Sequence, residues 1–513
     1  MLSYLWIEKI LIGEKIIMEN NRWVIIFGKY DGLEKKAVNL INSAVFDHYR
    51  FPVSCFNADE VDKEIVNTCN LILVGTAKDN KYLGELVKKG VLKKPEKPQG
   101  YSASVKESLW NGEKDVMAVC GFDDAGVLYG SVDFVNKYLG YLIYRTGVKD
   151  MTTCWHMYFD SPFTVRPPHW EEVSAPSVET RGAWTWGHVI YDYKSYFDNM
   201  ALLKLNEIVI WNNFIPINSS DVVDYAHSLG IKVIWGYAWG WNTDCNVSMK
   251  MDDEGIKHLS EDIFAKFEKE YANAKGDGIY FQSATEVNTE YIDGKLIAER
   301  VVSLVNLAAG KILDKYPDLE IQFGLHTGSV KHRLEYIAKV DPRVKIVWEN
   351  CGSFPFYDHS GIDIVNVGDL KETMDFTAKI AQLRSEEDNF GLVMKEMTFL
   401  DWTLFTHPDK NLILGENSKN FIEERLIQKR KLWKFSQTNW IANLDYMQKI
   451  VKNIVDTRKN NNIEAVIEDG IFEKEIPLSA ALYAETLWNC EKDSKETFMQ
   501  VSQYPCVKFA NLL

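Results

Sequence analysis

The chain has 513 residues, of which 46% are hydrophobic and 26% charged, a composition typical of a folded protein with a sizeable core. This length exceeds one ordinary domain and predicts two or three, one of them large. The formal net charge of −15 argues against nucleic acid or an anionic membrane surface as a partner. A homo-oligomer is left open, because no feature of the sequence decides the oligomeric state.

The cysteines and the opening stretch indicate the cellular compartment. Eight cysteines are scattered without a CxxC pair, which argues against a zinc site and indicates reduced thiols in a cytoplasmic protein. The opening stretch MLSYLWIEKILIGEKIIMENNRW is apolar but interrupted by charges, and it lacks a small-residue cleavage site, so we predict no signal peptide. No run of about 18 apolar residues occurs, so no membrane span is expected.

Residues 1–165 alternate strand and helix signals and predict a small, non-catalytic α/β domain. RWVIIFG and NLILVGTA predict strands, and DGLEKKAVNLINSAVFDHY between them predicts a helix. YSASVKES and KDVMAVCGF predict paired strands joined at LWNGE, and DDAGVLYGSVDFVNKYLG predicts a final helix. Neither GxGxxG nor GxxxxGK[ST] occurs, so no nucleotide is assigned. Residues 166–180 are rich in proline and polar residues and are expected to be a linker.

Residues 181–513 repeat strand and helix signals in eight units. The strand-like runs are GAWTWGHV, EIVIWNNF, KVIWGYAW, GIYFQSAT, EIQFGLHT, VKIVWENC, FGLVMKEM and IEAVIEDG. Helical stretches separate them, and the helix PLSAALYAETLW follows the eighth. A doubly wound open sheet is the alternative, but eight units without a phosphate-binding loop favour closure. We therefore predict an α/β protein: a (β/α)8 TIM barrel preceded by a small α/β domain.

The residues that follow these strands are rich in aromatic, amide, imidazole and carboxylate groups. At the first three strand ends they are Trp184, Trp186, His188, Asn212, Asn213, Trp239 and Trp241. At the later ends they are Glu286, His326, Trp348, Glu349, Glu396, Glu468 and Asp469. The opposite ends carry Lys232, Glu320, Lys345 and Glu464, which we expect to be ordinary solvated residues. Because TIM-barrel chemistry lies at the carboxyl ends of the strands, this asymmetry predicts a site there.

The chemistry of these side chains suits carbohydrate. Tryptophan rings stack on the apolar faces of sugars, and amide, imidazole and carboxylate groups bind hydroxyls. Two carboxyl groups are what glycoside hydrolysis requires. No HExxH or GxSxG occurs, so we expect no metal, no cofactor and no serine nucleophile. Taken singly, Glu349 or Glu396 fits a structural partner of a barrel Lys or Arg equally well, and Trp184 with Trp186 fits either a stacking platform or a packed layer.

Short stretches resemble known carbohydrate enzymes. A domain ending in GVLYGSVDFVNKYLG and a linker ending in VETRGAWTW resemble the start of the family 20 hexosaminidases and the family 67 α-glucuronidases, and the closing EDGIFEKEIPLSAALYAETLWN is similar to them too. Both families pair such a domain with a catalytic (β/α)8 barrel. In family 20, an adjacent Asp-Glu pair follows strand four, whereas here QSATEV places Thr285 before Glu286. The WDN-type signature of the α-glucuronidases is replaced by WTWGHV.

The α-glucuronidase pattern implies Glu286 as the general acid and Glu349 as the base, with Glu396 in reserve. The remaining rim residues named above are predicted to bind substrate, with Trp184, Trp239, Trp241 and Trp348 as stacking walls. We predict a glycoside hydrolase that cleaves an oligosaccharide, and the sugar is left open as a uronic acid, an N-acetylhexosamine or neither. The alternative is a carbohydrate-binding barrel that has lost catalysis, which the missing Asp motivates.

Overall fold

The computed structural model describes residues 22–49, 53–139, 168–240, 247–248, 250–349, 370–394, 410–467 and 470–508. The chain divides into two units, which are Met1–Pro176 with Ser502–Cys506 and Ser177–Val501 with Val507–Leu513. None of the helices in these described ranges combines the length and the apolar character that crossing a bilayer requires.

The first unit is built on a six-stranded mixed sheet. Strands β1 to β6 are Trp23–Phe27, Ser54–Asn57, Asn70–Thr76, Tyr101–Glu107, Asp115–Gly121 and Trp170–Ser174. Helices α1 to α4 are Gly32–Tyr49, Lys63–Thr68, Lys81–Lys88 and Asp124–Asp133, and a π-helical segment, Phe134–Leu139, continues α4. The strand order is β2-β1-β3-β5-β4-β6, in which β4 runs antiparallel to its neighbours β5 and β6 and the other pairs are parallel.

The predicted strands of this unit are present, and two further strands join them. Each residue of β3 is buried, which explains why NLILVGTA is continuously apolar: a strand covered on both faces does not alternate. Strand β2 escaped prediction because it is a four-residue edge strand with half of its residues exposed. Strand β6 lies inside the segment expected to be a linker, where Trp170 packs on Phe134 and Tyr138 with ring centroids 6.1 and 5.3 Å apart.

The second unit is a closed barrel of eight parallel strands, which confirms the predicted fold. Strands β7 to β14 are Thr180–Trp186, Glu207–Trp211, Lys232–Ala238, Gly278–Gln282, Glu320–Leu325, Val344–Glu349, Phe390–Met394 and Asn461–Val466. They follow the chain around the barrel, and β14 closes on β7. Helices α5 to α15 are Tyr193–Leu202, Ser219–His227, Asp253–Lys266, Ile297–Lys315, Leu334–Ile337, Leu370–Ala381, Lys419–Ala442, Leu444–Thr457, Ile471–Lys474, Leu478–Trp488 and Ser494–Val501.

Alternating residues of the barrel strands fill the lumen with apolar side chains. Successive residues of a strand point to opposite faces, so every second residue enters the lumen. One cluster of buried lumen side chains consists of Trp184, Val209, Trp211, Ile234, Tyr280, Val347, Val393 and Val466. The barrel interior is therefore a packed core, as in other TIM barrels.

The amino-terminal ends of the strands carry a buried polar layer. Glu464 is fully buried and Lys345 is 7% exposed, so the expectation that both are solvated is wrong, whereas Lys232 is exposed as expected. The cause is strand alternation, because Glu464 and Lys345 each lie two residues before a valine of the lumen. Lys345 forms an ion pair with the half-buried Glu320.

Two carboxyl groups of this layer are close and buried together. Glu207 Oε1 accepts hydrogen bonds from Gln322 Nε2 at 2.9 Å and from Asn462 Nδ2 at 2.7 Å. Burial raises the pKa of Glu464 well above its usual range, and the charge of Glu207 and a hydrogen bond to it raise it further. Glu464 therefore keeps its proton in the folded barrel, next to Glu207.

The variant Glu464→Gln should be more stable than the native chain at neutral and alkaline pH. A carboxyl whose folded-state pKa is raised stabilises the fold below its unfolded pKa, and this contribution is lost as the pH rises through the folded pKa. Glutamine keeps a donor for Glu207 and does not titrate. The advantage of the variant should grow above pH ~4.3 by at most about 1.4 kcal/mol per pH unit.

Urea unfolding at pH 5 and pH 8 measures this difference, with the exposed Glu335→Gln as the control. A variant that loses stability relative to the native chain between these two pH values would show that Glu464 is ionised in the folded barrel.

Candidate active site

Glu349 is the centre of a hydrogen-bond network at the carboxyl ends of the strands. It is the last residue of β12 and is 1% exposed. Its Oε1 accepts a hydrogen bond of 2.7 Å from the Tyr280 hydroxyl and another from Gln282 Nε2. His326 Nε2 lies 3.2 Å from Glu349 Oε2. Donors from two neighbouring strands therefore hold both oxygens of one buried carboxylate.

The register of the strands explains how these side chains meet. Tyr280 and Gln282 are two residues apart on β10 and so share the lumen face, while His326 directly follows β11. Burial raises the pKa of the Tyr280 hydroxyl well above its usual range, and the nearby charge of Glu349 raises it further, so Tyr280 stays a neutral donor.

Aromatic rings of the first two strands form a wall in the lumen beside this network. Trp184 and Trp211 stack with ring centroids 6.1 Å apart at 27°, and Tyr280 meets Trp184 edge-on at 6.0 Å. Trp186, which is half-buried, lies edge-on to both tryptophans at 5.7 and 5.8 Å. The half-buried His188 ring lies 6.1 Å from Trp186. Trp184 is thus part of the packed layer, and Trp186 with His188 supplies the more accessible part of the wall.

Glu286 is exposed in the loop that follows β10, and this loop is fixed to the loop after β11. Thr285 is fully buried, and its Oγ1 accepts a hydrogen bond of 3.2 Å from the His326 backbone amide. Ser329 donates from its amide to the Thr285 carbonyl at 3.1 Å, and its hydroxyl donates to the Ala284 carbonyl at 3.0 Å. The residue before Glu286 therefore positions the histidine that contacts Glu349.

Two predicted stacking residues face away from the lumen. Trp239 stacks on Phe281 with centroids 3.7 Å apart, and Phe281 lies on the outer face of β10 because both of its strand neighbours point inward. Trp348 precedes Glu349 and so takes the opposite face, where its Nε1 donates a hydrogen bond of 2.9 Å to Thr377 of α10. Both tryptophans pack between the barrel and its surrounding layer, and neither joins the lumen wall.

The two asparagines after β8 use their side chains on nearby backbone. Asn212 Nδ2 donates to the Phe214 carbonyl at 2.6 Å, and Asn213 Oδ1 accepts from the Ala238 amide at 3.2 Å. Both bonds shape the loops after β8 and β9. The predicted residues Trp241, Glu396, Glu468 and Asp469 lie outside the described residues.

Sequence reasoning missed Tyr280, which contributes as much to the network as Gln282. Its signal was present in GIYFQ, where the second and fourth residues are aliphatic or aromatic while Tyr280 and Gln282 place polar groups two residues apart. Residues two apart on a strand lie on the same face, and in a barrel one of the two faces points into the lumen.

Comparison with known proteins gives a fold and no family. No family model matches the sequence, and no curated protein matches it. A solved enzyme of glycoside hydrolase family 138 targeting pectin rhamnogalacturonan II shares 11% identity and a TM-score of 0.50; the match covers 92% of this chain and 64% of that chain. The chain thus spans less than two thirds of the length of that structure.

Two solved family 20 enzymes are similar at lower TM-scores. The β-N-acetylhexosaminidase from Streptomyces coelicolor A3(2) has 10% identity, a TM-score of 0.45 and coverage of 94% of this chain and 90% of that one. An inactive variant of the exo-β-N-acetylglucosaminidase from Vibrio harveyi has 9% identity, a TM-score of 0.46 and coverage of 94% and 73%. At such low identity the likeness to solved structures is one of fold, a (β/α)8 barrel preceded by an α/β domain.

Proposed function

We propose that the chain is a glycoside hydrolase that acts on an oligosaccharide with Glu286 and Glu349. The observation that carries the proposal is Glu349 itself: a buried carboxylate at the carboxyl end of a barrel strand, held by three donors beside a tryptophan wall. The solved enzymes with a similar fold are described as glycoside hydrolases, which supports the same reading.

The two carboxyl groups take different roles in this proposal. Glu286, exposed on its loop, protonates the oxygen of the leaving sugar as the glycosidic bond breaks. Glu349 either attacks the anomeric carbon or takes a proton from the attacking water. Glu396 stays the alternative base, and the variant Glu396→Gln separates the two assignments. Proton NMR of the first product formed tells whether the anomeric configuration is retained or inverted.

The substrate is proposed as an oligosaccharide whose terminal sugar stacks on Trp186 and bonds to His188. A uronic acid and an N-acetylhexosamine are the two sugars that the resemblance implies. Nitrophenyl glycosides, among them the α-glucuronide and the N-acetyl-β-glucosaminide, test both, and oligosaccharides of rhamnogalacturonan II widen the panel. Turnover of none of them, together with saturable binding of one, would favour the alternative of a carbohydrate-binding barrel without catalysis.

Gly328→Ala should lower kcat/KM on the confirmed substrate without unfolding the barrel. A Cβ at Gly328 would lie 2.6 Å from the Glu286 carbonyl oxygen and 2.7 Å from that of Val287, closer than real contacts allow. The loop that carries Glu286 must therefore move, and a displacement of about 1 Å at a catalytic group can cost about 100-fold in rate.

Gly310→Ala is the matched control, because nothing lies within 4 Å of a Cβ at this helical position. That control should keep the native kcat/KM. If Gly328→Ala kept the native kcat/KM and the native thermal midpoint, the position of this loop would not matter for catalysis.

A further inference from the structure

Three carboxyl groups meet at the carboxyl edge of the sheet in the first unit, outside the barrel. Glu34 lies in the first turn of α1, Asp79 follows β3 and Asp124 begins α4. One oxygen of each lies within 4.8 Å of those of the other two. From β1 the chain continues to β2 on one side of the sheet, and from β3 it continues to β4 on the other side, so this edge is the switch point of the parallel strands. Open α/β sheets bind ligands at that place.

The buried member of this cluster has an oxygen that the protein does not satisfy. Glu34 is fully buried, and its Oε1 accepts hydrogen bonds from the amides of Gly28 at 2.8 Å and Lys29 at 2.5 Å. Its Oε2 is buried as well and accepts no hydrogen bond from the described residues. Leaving a buried polar atom without a partner costs about 1–3 kcal/mol, and more when the group is charged. Burial, together with the charges of Asp124 and Asp79, raises the pKa of Glu34 to about 7.

Lys29 supplies part of the charge that the cluster needs. Its Nζ lies 3.1 Å from Asp79 Oδ2 and 3.4 Å from Asp124 Oδ1. Three carboxylates and one ammonium group leave a net charge of −2 when all are ionised. The Lys29 side chain is 39% exposed, so it can turn into solvent without opening the core. Without the ammonium group the three carboxylates carry a net charge of −3 when all are ionised, and this charge favours the binding of a divalent cation.

We propose that Glu34, Asp79 and Asp124 form a Ca²⁺ site, and that Lys29 leaves the cluster when the ion binds. Two oxygens on one ion can be separated by at most twice the metal–oxygen distance, which is about 5 Å for Ca²⁺ and about 4 Å for Mg²⁺. The three oxygens lie within 4.8 Å of one another, close enough for one ion to bridge them. Ca²⁺ accepts irregular sets of oxygen ligands, whereas Mg²⁺ demands near-ideal octahedral geometry, so Ca²⁺ is the better match. Thr76 Oγ1 donates to Asp79 Oδ2 at 2.8 Å and fixes the orientation of that ligand.

Sequence reasoning had no access to this site. The three acids are separated by 45 residues at each step and match no calcium-binding loop, which gathers its ligands within 12 consecutive residues or so. Only the sheet brings the ends of β1, β3 and β5 together.

Calorimetric titration of the full chain with CaCl₂ tests the proposal. We expect saturable binding to one site, at least tenfold weaker in Asp79→Asn and in Asp124→Asn, and weaker with MgCl₂ than with CaCl₂ in the native chain. Asp59→Asn is the control, because its side chain is 80% exposed in the same unit and outside the cluster. Thermal unfolding without metal verifies that each variant folds, and added CaCl₂ should raise the midpoint of the native chain.

Lys29→Met distinguishes a cation site from a structural ion pair. If the ammonium group competes with the ion, its removal should tighten Ca²⁺ binding at least threefold. Native chain that shows no saturable binding, or Asp79→Asn that keeps the native affinity, would overturn the site. Lys29→Met that binds Ca²⁺ no more tightly than the native chain would overturn the displacement of Lys29.

Discussion

Glu349→Gln is expected to lower kcat on the confirmed substrate by about 10³-fold or more, because the neutral amide can neither attack the anomeric carbon nor accept a proton from water. The variant keeps the shape of the side chain, and its amide oxygen can still accept from Tyr280 and Gln282. KM should change far less than kcat, since the group acts on the reacting atoms and not on the rest of the sugar. Initial rates over a range of substrate concentration give both constants.

The control for this experiment is Glu335→Gln on α9, which removes the same charge from an exposed position. Native kcat in Glu349→Gln would remove Glu349 from the reaction and transfer the role of base to Glu396. Loss of kcat in Glu396→Gln, with native kcat in Glu349→Gln, would establish that transfer directly.

Glu286→Gln should lose activity in proportion to the basicity of the leaving group. A general acid matters most when the departing oxygen is a poor leaving group, and general acid–base catalysis contributes about 10²–10⁴-fold. We therefore expect a loss in this range on a natural oligosaccharide and a much smaller loss on a nitrophenyl glycoside, whose phenolate departs without protonation. Parallel assays on the two substrates measure the ratio.

Glu290→Gln is the matched control, because Glu290 lies in the same region and pairs with Arg333 at 2.9 Å on the surface. A partly exposed pair of this kind contributes about 0–1 kcal/mol to stability, so this variant should keep the native kinetics. Equal losses of Glu286→Gln on both substrates would contradict the acid role, since a proton donor is not needed equally by both leaving groups.

The architecture could be predicted because a barrel strand has a local signature. Runs such as EIVIWNNF and VKIVWENC are short, apolar and rich in β-branched residues, and eight of them in alternation with helices leave few topologies. The position of Glu349 at a strand end followed from the same pattern. What escaped prediction depends on contacts between distant strands: Tyr280 and Glu349 are 69 residues apart and meet only when the barrel closes.

The face of each strand was the harder question within the site. Trp348 and Glu349 are neighbours in sequence, yet one packs on α10 and the other enters the lumen. Strict alternation would have placed Trp348 and Glu349 on opposite faces of the strand. The many tryptophans near the strand ends led instead to the prediction that both residues belong to the site. Likewise, Lys345 and Glu464 were expected to be solvated because charged residues usually are. Both are buried, because the alternation of their strands directs these side chains into the lumen.

The filled lumen also determines how molecules enter and leave. Buried Val209, Ile234 and Val347 lie between the rim and the polar layer at the opposite end, so the side chains of the described strands fill the lumen below the rim. Under the function proposed above, a cleaved sugar would leave through the same mouth by which the next oligosaccharide arrives. Product and substrate would then share this mouth, and the released monosaccharide should act as a competitive inhibitor of the reaction.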